Sequence, residues 1–185
     1  MIYMFLAEGF EEVEALSPLD ILRRGGVDIK TVGIGGREIR GSHGIPVVCD
    51  LADSEYDAAG FSGVILPGGM PGTNGLDASA AVDSAVRRAA GEGLPLCAIC
   101  AAPSVLGKRG LLAGKRAVCF PGFEKYLTGA RLTRARVERD GNIVTAVGMG
   151  AAVEFGLCIL SLIKGEDAGE KMRRTILAPA AVNVL

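Results

Sequence analysis

Leu94-Pro95-Leu96-Cys97-Ala98-Ile99-Cys100-Ala101-Ala102-Pro103 is the stretch on which the reading of this chain turns. Its first half, ending at Ile99, is a short continuous apolar run, the pattern of a strand buried on both faces. Its second half passes through small residues to Pro103, and a helix is expected from just after Cys100 to near Gly110. Upstream, residues 2–6 read as a strand. Glu11 to Arg24 reads as a helix with acids in its first turn, arginines in its last and Gly25-Gly26 as its stop. Residues 28–33 read as a strand, 37–51 as a pair of short strands, and Val64 to Leu66 as a strand ending in Pro67-Gly68-Gly69. An alanine-rich helix is expected over 77–90. Downstream come a strand over Arg116 to Phe120 and a hairpin over 134–147 turning at Asp140-Gly141. A closing helix over Ala151 to Ile163 and a short amphipathic segment follow. Strands alternating with helices predict an α/β fold, a mainly parallel sheet covered on both faces. No repeat or linker interrupts the pattern, so residues 1–185 read as one domain.

The bulk properties narrow the function classes. With 185 residues and 49% hydrophobic positions, the chain can bury a sizeable core. The 20 basic residues against 21 acidic ones are scattered, which gives nucleic acid little to bind. The longest apolar stretch, Phe155 to Ile163, is too short to cross a bilayer, so no membrane partner is expected. The first residues lack a basic lead-in and a cleavage pattern and read as a strand, so a cytoplasmic location is expected. Five cysteines are then expected to be thiols.

In such a sheet, ligands sit outside the carboxyl ends of the strands. Ala7-Glu8-Gly9, Pro67-Gly68-Gly69 and the turn at Cys100 all fall there. Flanked by Ala98, Ala101 and Ala102, Cys100 has the small neighbours of a nucleophile elbow. The helix N-terminus after it is expected to lower its pKa, and its N–H groups, with those of Gly68-Gly69, to receive an oxyanion. Read from these residues alone, Cys100 fits a nucleophile and a small core residue equally well. Cys97-x-x-Cys100 fits neither a disulfide nor zinc: three strand residues set the two Cα atoms roughly 10 Å apart, beyond disulfide reach, and there is one histidine. Cys97, Cys119 and Cys158 read as core residues, and Cys49, at a strand end, as a secondary oxidation site near the surface.

The chain resembles the DJ-1/ThiJ/PfpI superfamily, and within it the DJ-1 branch. The matching segments are Ala7 to Glu14, Pro18 to Gly25, Leu66-Pro67-Gly68-Gly69, Ala98-Ile99-Cys100-Ala101-Ala102-Pro103 and Glu154-Phe155, in the same order over essentially the whole chain. The resemblance implies a flavodoxin-like three-layer sandwich, usually a homodimer, with Cys100 as nucleophile, Glu14 as its partner acid and Gly69 and Ala101 as backbone donors. It implies supporting positions at Gly68, Glu11 and Asp20. On its own residues Glu14 would read as an ordinary solvated helix glutamate; beside a thiolate, it is expected to keep its proton.

Departures from the family pattern narrow the chemistry. Protease-like members carry a histidine after the cysteine, where this chain has Ala101. Many DJ-1 relatives carry one before a proline, where it has Phe120 and Pro121. The single histidine, His43, reads as a loop-stabilising residue, or by the resemblance as one reaching a partner subunit's pocket. No Cys–His–acid order can be written, which counts against a glutaminase or peptidase. The expectation is therefore a cofactor-free, metal-free thiol enzyme for small reactive carbonyls or glycated protein, of glyoxalase or deglycase type. The alternative is a redox sensor or chaperone-like stress protein governed by oxidation of Cys100.

Overall fold

The computed structural model describes residues 1–179; the expected domain of 1–185 ends outside them. The chain runs from β1 (Ile2–Leu6) into α1 (Glu12–Arg24) and β2 (Ile29–Gly33). A small hairpin, β3 (Glu38–Arg40) and β4 (Pro46–Val48), precedes β5 (Leu51–Ala52) and β6 (Gly63–Leu66). Two helices, α2 (Gly72–Ala78) and α3 (Ala80–Glu92), lead to β7 (Leu96–Ile99) and the short α4 (Pro103–Gly107). Then follow β8 (Arg116–Ala117), β9 (Arg131–Leu132), β10 (Val137–Asp140), β11 (Ile143–Ala146), α5 (Ala152–Lys164) and α6 (Glu166–Thr175).

The main sheet has seven strands in the order β10-β11-β7-β6-β1-β2-β5. All its neighbours pair in parallel except β10 with β11, the antiparallel hairpin that turns through Asp140-Gly141. Alternation along the strands divides the core in two. Ile2, Met4, Leu6, Cys97 and Ile99 pack with Leu19 and Leu22 of α1 and Phe155, Ile159 and Leu160 of α5. Tyr3, Phe5, Leu96 and Ala98 pack with Val82, Val86 and Ala89 of α3 and with Val105 and Leu106 of α4. Helices thus cover both faces, as the alternating pattern predicted.

Several boundaries differ from the sequence reading. The helix expected over 77–90 is two helices, because Ser79 leaves helical geometry and its side chain caps α3 by accepting from the Val82 N–H. The strand expected over Arg116 to Phe120 keeps only two residues, and these pair with β9 outside the main sheet. Among the described residues, no helix is long and apolar enough to cross a membrane.

Candidate active site

Three strand ends converge on one sulfur. After β7 the backbone reverses at Cys100, which takes φ 64°, the left-handed region that side-chain-bearing residues rarely adopt. The turn is pinned on both sides: the Cys100 N–H donates to the Ala146 carbonyl at 2.9 Å, and its own carbonyl accepts from the Phe120 N–H at 2.8 Å. Such anchoring holds a strained residue in place. The elbow expected from the small neighbours is present, and Cys100 is half-buried rather than sealed.

The N–H groups of Gly69 and Ala101 lie close enough to the Cys100 sulfur to favour its anion. Gly69 takes φ 91°, and the Glu11 N–H donates to the Gly68 carbonyl at 2.9 Å, locking this turn onto the start of α1. A Cβ on Gly68 would stand 2.6 Å from the Cys100 Cβ and 2.6 Å from Glu14 Oε2, so only glycine lets the two side chains meet there.

Glu14 points from α1 into this meeting point and is 1% exposed. Its carboxyl accepts from the Gly68 N–H at 3.0 Å, and the Cys100 side chain and the Met149 N–H lie close enough to hold its pKa down. Burial pushes Glu14 up to about 7, against the opposing effect of these groups. Burial, then the charge of Glu14, push the Cys100 thiol up to about 12, outweighing the Gly69 and Ala101 N–H groups. The expectation of a lowered thiol pKa is thus corrected: desolvation and a neighbouring carboxylate exceed the pull of a few N–H dipoles. What the pocket sets is a proton count. Both groups are raised, so the pair loses its protons one after the other rather than together, and the state between holds one proton for two sites.

The supporting residues divide. Glu11 lies beside the site: it precedes α1, its charge adds to the rise of Glu14, and its Oε2 accepts from Ser42 Oγ at 3.1 Å. Asp20 does not join the pair, because six residues along a helix is about 9 Å of rise and a different face from Glu14. It accepts from Arg24 Nε at 2.6 Å instead, and both line a cleft of about 700 Å³ with Arg136 and Glu154. His43 does not touch the sulfur. Its exposed ring sets Nδ1 3.1 Å from Glu12 Oε2 and 3.4 Å from Glu11 Oε2, the loop-stabilising role. Cys49 is buried, and burial pushes its thiol up to about 11, which removes it as an accessible oxidation site. Burial likewise pushes the Cys119 and Cys158 thiols up to about 11, although Cys158 is only partly buried.

Glu12, a first-turn acid weighed with Glu11 and Asp20, is not among the site residues expected from the sequence. It is 4% exposed, and its Oε1 accepts from the His43 N–H at 2.8 Å and the Ile45 N–H at 3.4 Å, tying the β3–β4 loop to α1. The available signal was the lone histidine itself, which in a loop needs a partner. Among the described residues, Glu11, Glu12 and His43 form one group whose ligand atoms lie within 4.8 Å of one another, the spacing a metal ion would need. Those atoms are already engaged with one another and with Ser42 and Ile45.

Comparison with known proteins places the chain in a family. Residues 1–162 match the model of the DJ-1/PfpI family. The Drosophila melanogaster protein dj-1beta is 32% identical over 177 residues, covering 94% of this chain and 95% of that protein. A deglycase of Pyrococcus abyssi is 32% identical over 142 residues, covering 76% of this chain and 85% of its own. The crystal structure of a DJ-1 superfamily protein from Salmonella typhimurium, a cysteine-to-alanine mutant, superposes with a TM-score of 0.90 at 36% identity. It covers 97% of this chain and 98% of that one. The chain belongs to the DJ-1/PfpI family.

Proposed function

We propose that this DJ-1/PfpI chain is a cofactor-free thiol enzyme for small reactive carbonyls, with Cys100 as nucleophile and Glu14 as proton carrier. The observation that carries the reading is the buried Glu14 carboxyl set against Cys100 across Gly68, where one added Cβ would stand 2.6 Å from both side chains, with the Gly69 and Ala101 N–H groups favouring the sulfur anion. One proton shared by two adjacent groups can sit on either. With it on Glu14 the sulfur is an anion and a nucleophile; with it on sulfur the carboxylate is a base.

Applied to methylglyoxal, the thiolate attacks the aldehyde carbon and the oxygen takes the proton held by Glu14, giving a hemithioacetal. The Glu14 carboxylate then removes the proton from that carbon and returns it to the neighbouring one, leaving a thioester of lactate. Water cleaves the thioester and releases lactate and the thiol, a net addition of one water. The Gly69 and Ala101 N–H groups, beside the sulfur, stabilise the oxyanion as it forms. The Pyrococcus relative's description as a deglycase supports including glycated protein among the substrates, since the same attack and proton transfers apply. With His43 held by Glu12, the reading has no histidine base and excludes glutaminase and peptidase chemistry of that type. Purified protein given methylglyoxal is expected to form lactate, and Cys100→Ala to form none. Lactate from Cys100→Ala at the wild-type rate would overturn the assignment.

A second reading rests on the same contact. A sulfinate at Cys100, formed as two equivalents of peroxide are reduced to water, would accept hydrogen bonds from protonated Glu14, Gly69 and Ala101. Selective gain of two oxygens on Cys100 after mild peroxide, read by intact and peptide mass, supports it; oxidation spread over all five cysteines counts against it. The reading also includes a cytoplasmic homodimer. Val13 and Leu16 on α1 and Ile45 and Val48 on the hairpin tied to it are exposed apolar residues suited to a second copy. Sedimentation at micromolar concentration checks this.

A further inference from the structure

Three large apolar residues stand half in water on the loops whose backbones meet the Cys100–Glu14 pair. Met70 is 47% exposed, Phe120 47% and Met149 53%, although phenylalanines elsewhere, such as Phe5, Phe10 and Phe155, are fully buried. Each comes from a different loop and is tied to the pair through its backbone. Met70 follows Gly69, whose N–H reaches the sulfur. The Phe120 N–H donates to the Cys100 carbonyl at 2.8 Å, and the Met149 N–H lies near enough to Glu14 to act on its carboxyl. A Cβ placed on Gly148 would lie 3.3 Å from Phe120 Cδ2 and 3.8 Å from Glu14 Oε1, so the ring and the carboxyl flank the same glycine. Met70 also opens onto a cleft of about 300 Å³ lined by Phe123 and Tyr126, with Lys108 and Lys125 against the Tyr126 ring.

One exposed apolar residue needs no explanation. Three on separate loops that all meet the Cys100–Glu14 pair offer apolar ground beside a few convergent polar groups, the makeup of a ligand site. A methyl group is too small to cover it.

We infer that Met70, Phe120 and Met149 form a specificity rim, selecting carbonyl substrates that carry an aryl or bulky alkyl group next to the reacting carbon. The inference rests on the thiol reading above and adds the substrate class to it. For phenylglyoxal the balance is unchanged: one water adds and mandelate leaves.

The test compares alkylation of Cys100 by N-phenylmaleimide and N-methylmaleimide, each rate divided by that with glutathione at the same pH and the modified peptide identified by mass. The normalised preference for the phenyl probe is expected to be about tenfold, the scale of about two methylenes moved out of water. Phe120→Ser and Met149→Ser should each lower it, and the double variant should bring it close to one. Catalysis should follow, with kcat/KM for phenylglyoxal falling in Phe120→Ser more than kcat/KM for methylglyoxal. A wild-type preference of one, or a preference that survives the double variant, overturns the rim while leaving the thiol reading intact. Variants that turn a dimer into a monomer without changing the preference would make the rim a subunit contact, which also overturns it. If neither probe modifies Cys100, the thiol reading falls and the rim falls with it.

Discussion

Glu12 and Glu14 are two residues apart on α1, are almost equally buried, and hold protons in opposite ways. Burial alone would raise both. Against it, Glu12 receives hydrogen bonds from its own backbone N–H, the His43 ring and the His43 and Ile45 N–H groups, and its carboxyl is held down at about 2. Glu14 receives fewer, faces a thiol and the charge of Glu11, and is pushed up to about 7. Two residues along a helix turn the side chain by about 200°, so one carboxylate fastens a loop while the other meets the sheet end. The comparison teaches that what a buried acid does depends on the donors that surround it, and that the site's acid is the one given too few.

The contrast breaks first on activity. Glu14→Gln keeps the shape and loses the titrating proton, and should lower methylglyoxal turnover by about 10²-fold or more; Glu12→Gln should lower it far less. Equal losses in the two variants would mean that α1 acts as a scaffold only. The alkylation rate of Cys100 against pH sharpens the point. Wild type should inflect near 7, where the pair loses its first proton; Glu14→Gln should remove that inflection and Glu12→Gln should retain it. An inflection unmoved by Glu14→Gln would show that the carboxyl does not govern the thiol.

Stability should then move in opposite directions. Glu12 is lowered from 4.5 to about 2, so it stabilises the fold above its ordinary value, and that contribution disappears as pH falls through about 2. Glu12→Gln should therefore cost about 2 kcal/mol at pH 7 in urea unfolding, with the gap closing near pH 2. Glu14 is raised from 4.5 to about 7, so it weighs against folding as pH climbs between those values and fully above them. Glu14→Gln should make the protein more stable at pH 8, on the order of 1 kcal/mol, and no more stable at pH 4. A destabilised Glu14→Gln at pH 8 would contradict the raised value.

Much of this was legible in the residues. Short apolar runs bounded by glycine and proline marked the strands, and Asp140-Gly141 placed the one antiparallel turn of the main sheet. Small residues between a strand and a helix allowed an elbow and plain packing equally, and the family pattern carried the choice between them. The break at Ser79 was hidden, since both sides are rich in helix formers and only a cap separates them. The burial of Glu12 and Cys49 depends on segments far away in the chain, which local pattern does not carry. Dipoles can be inferred from a helix start, but desolvation belongs to the assembled pocket, and here it decided the direction of the Cys100 shift.

The left-handed backbone of Cys100 has a consequence for how the molecule could change. Glycine would sit there with less strain than any side-chain-bearing residue. Losing the thiol by that route would relieve the torsion but give up the packing of a half-buried side chain and loosen the unfolded chain. Cysteine at this one bend sets backbone strain against packing and chemistry in a single torsion angle.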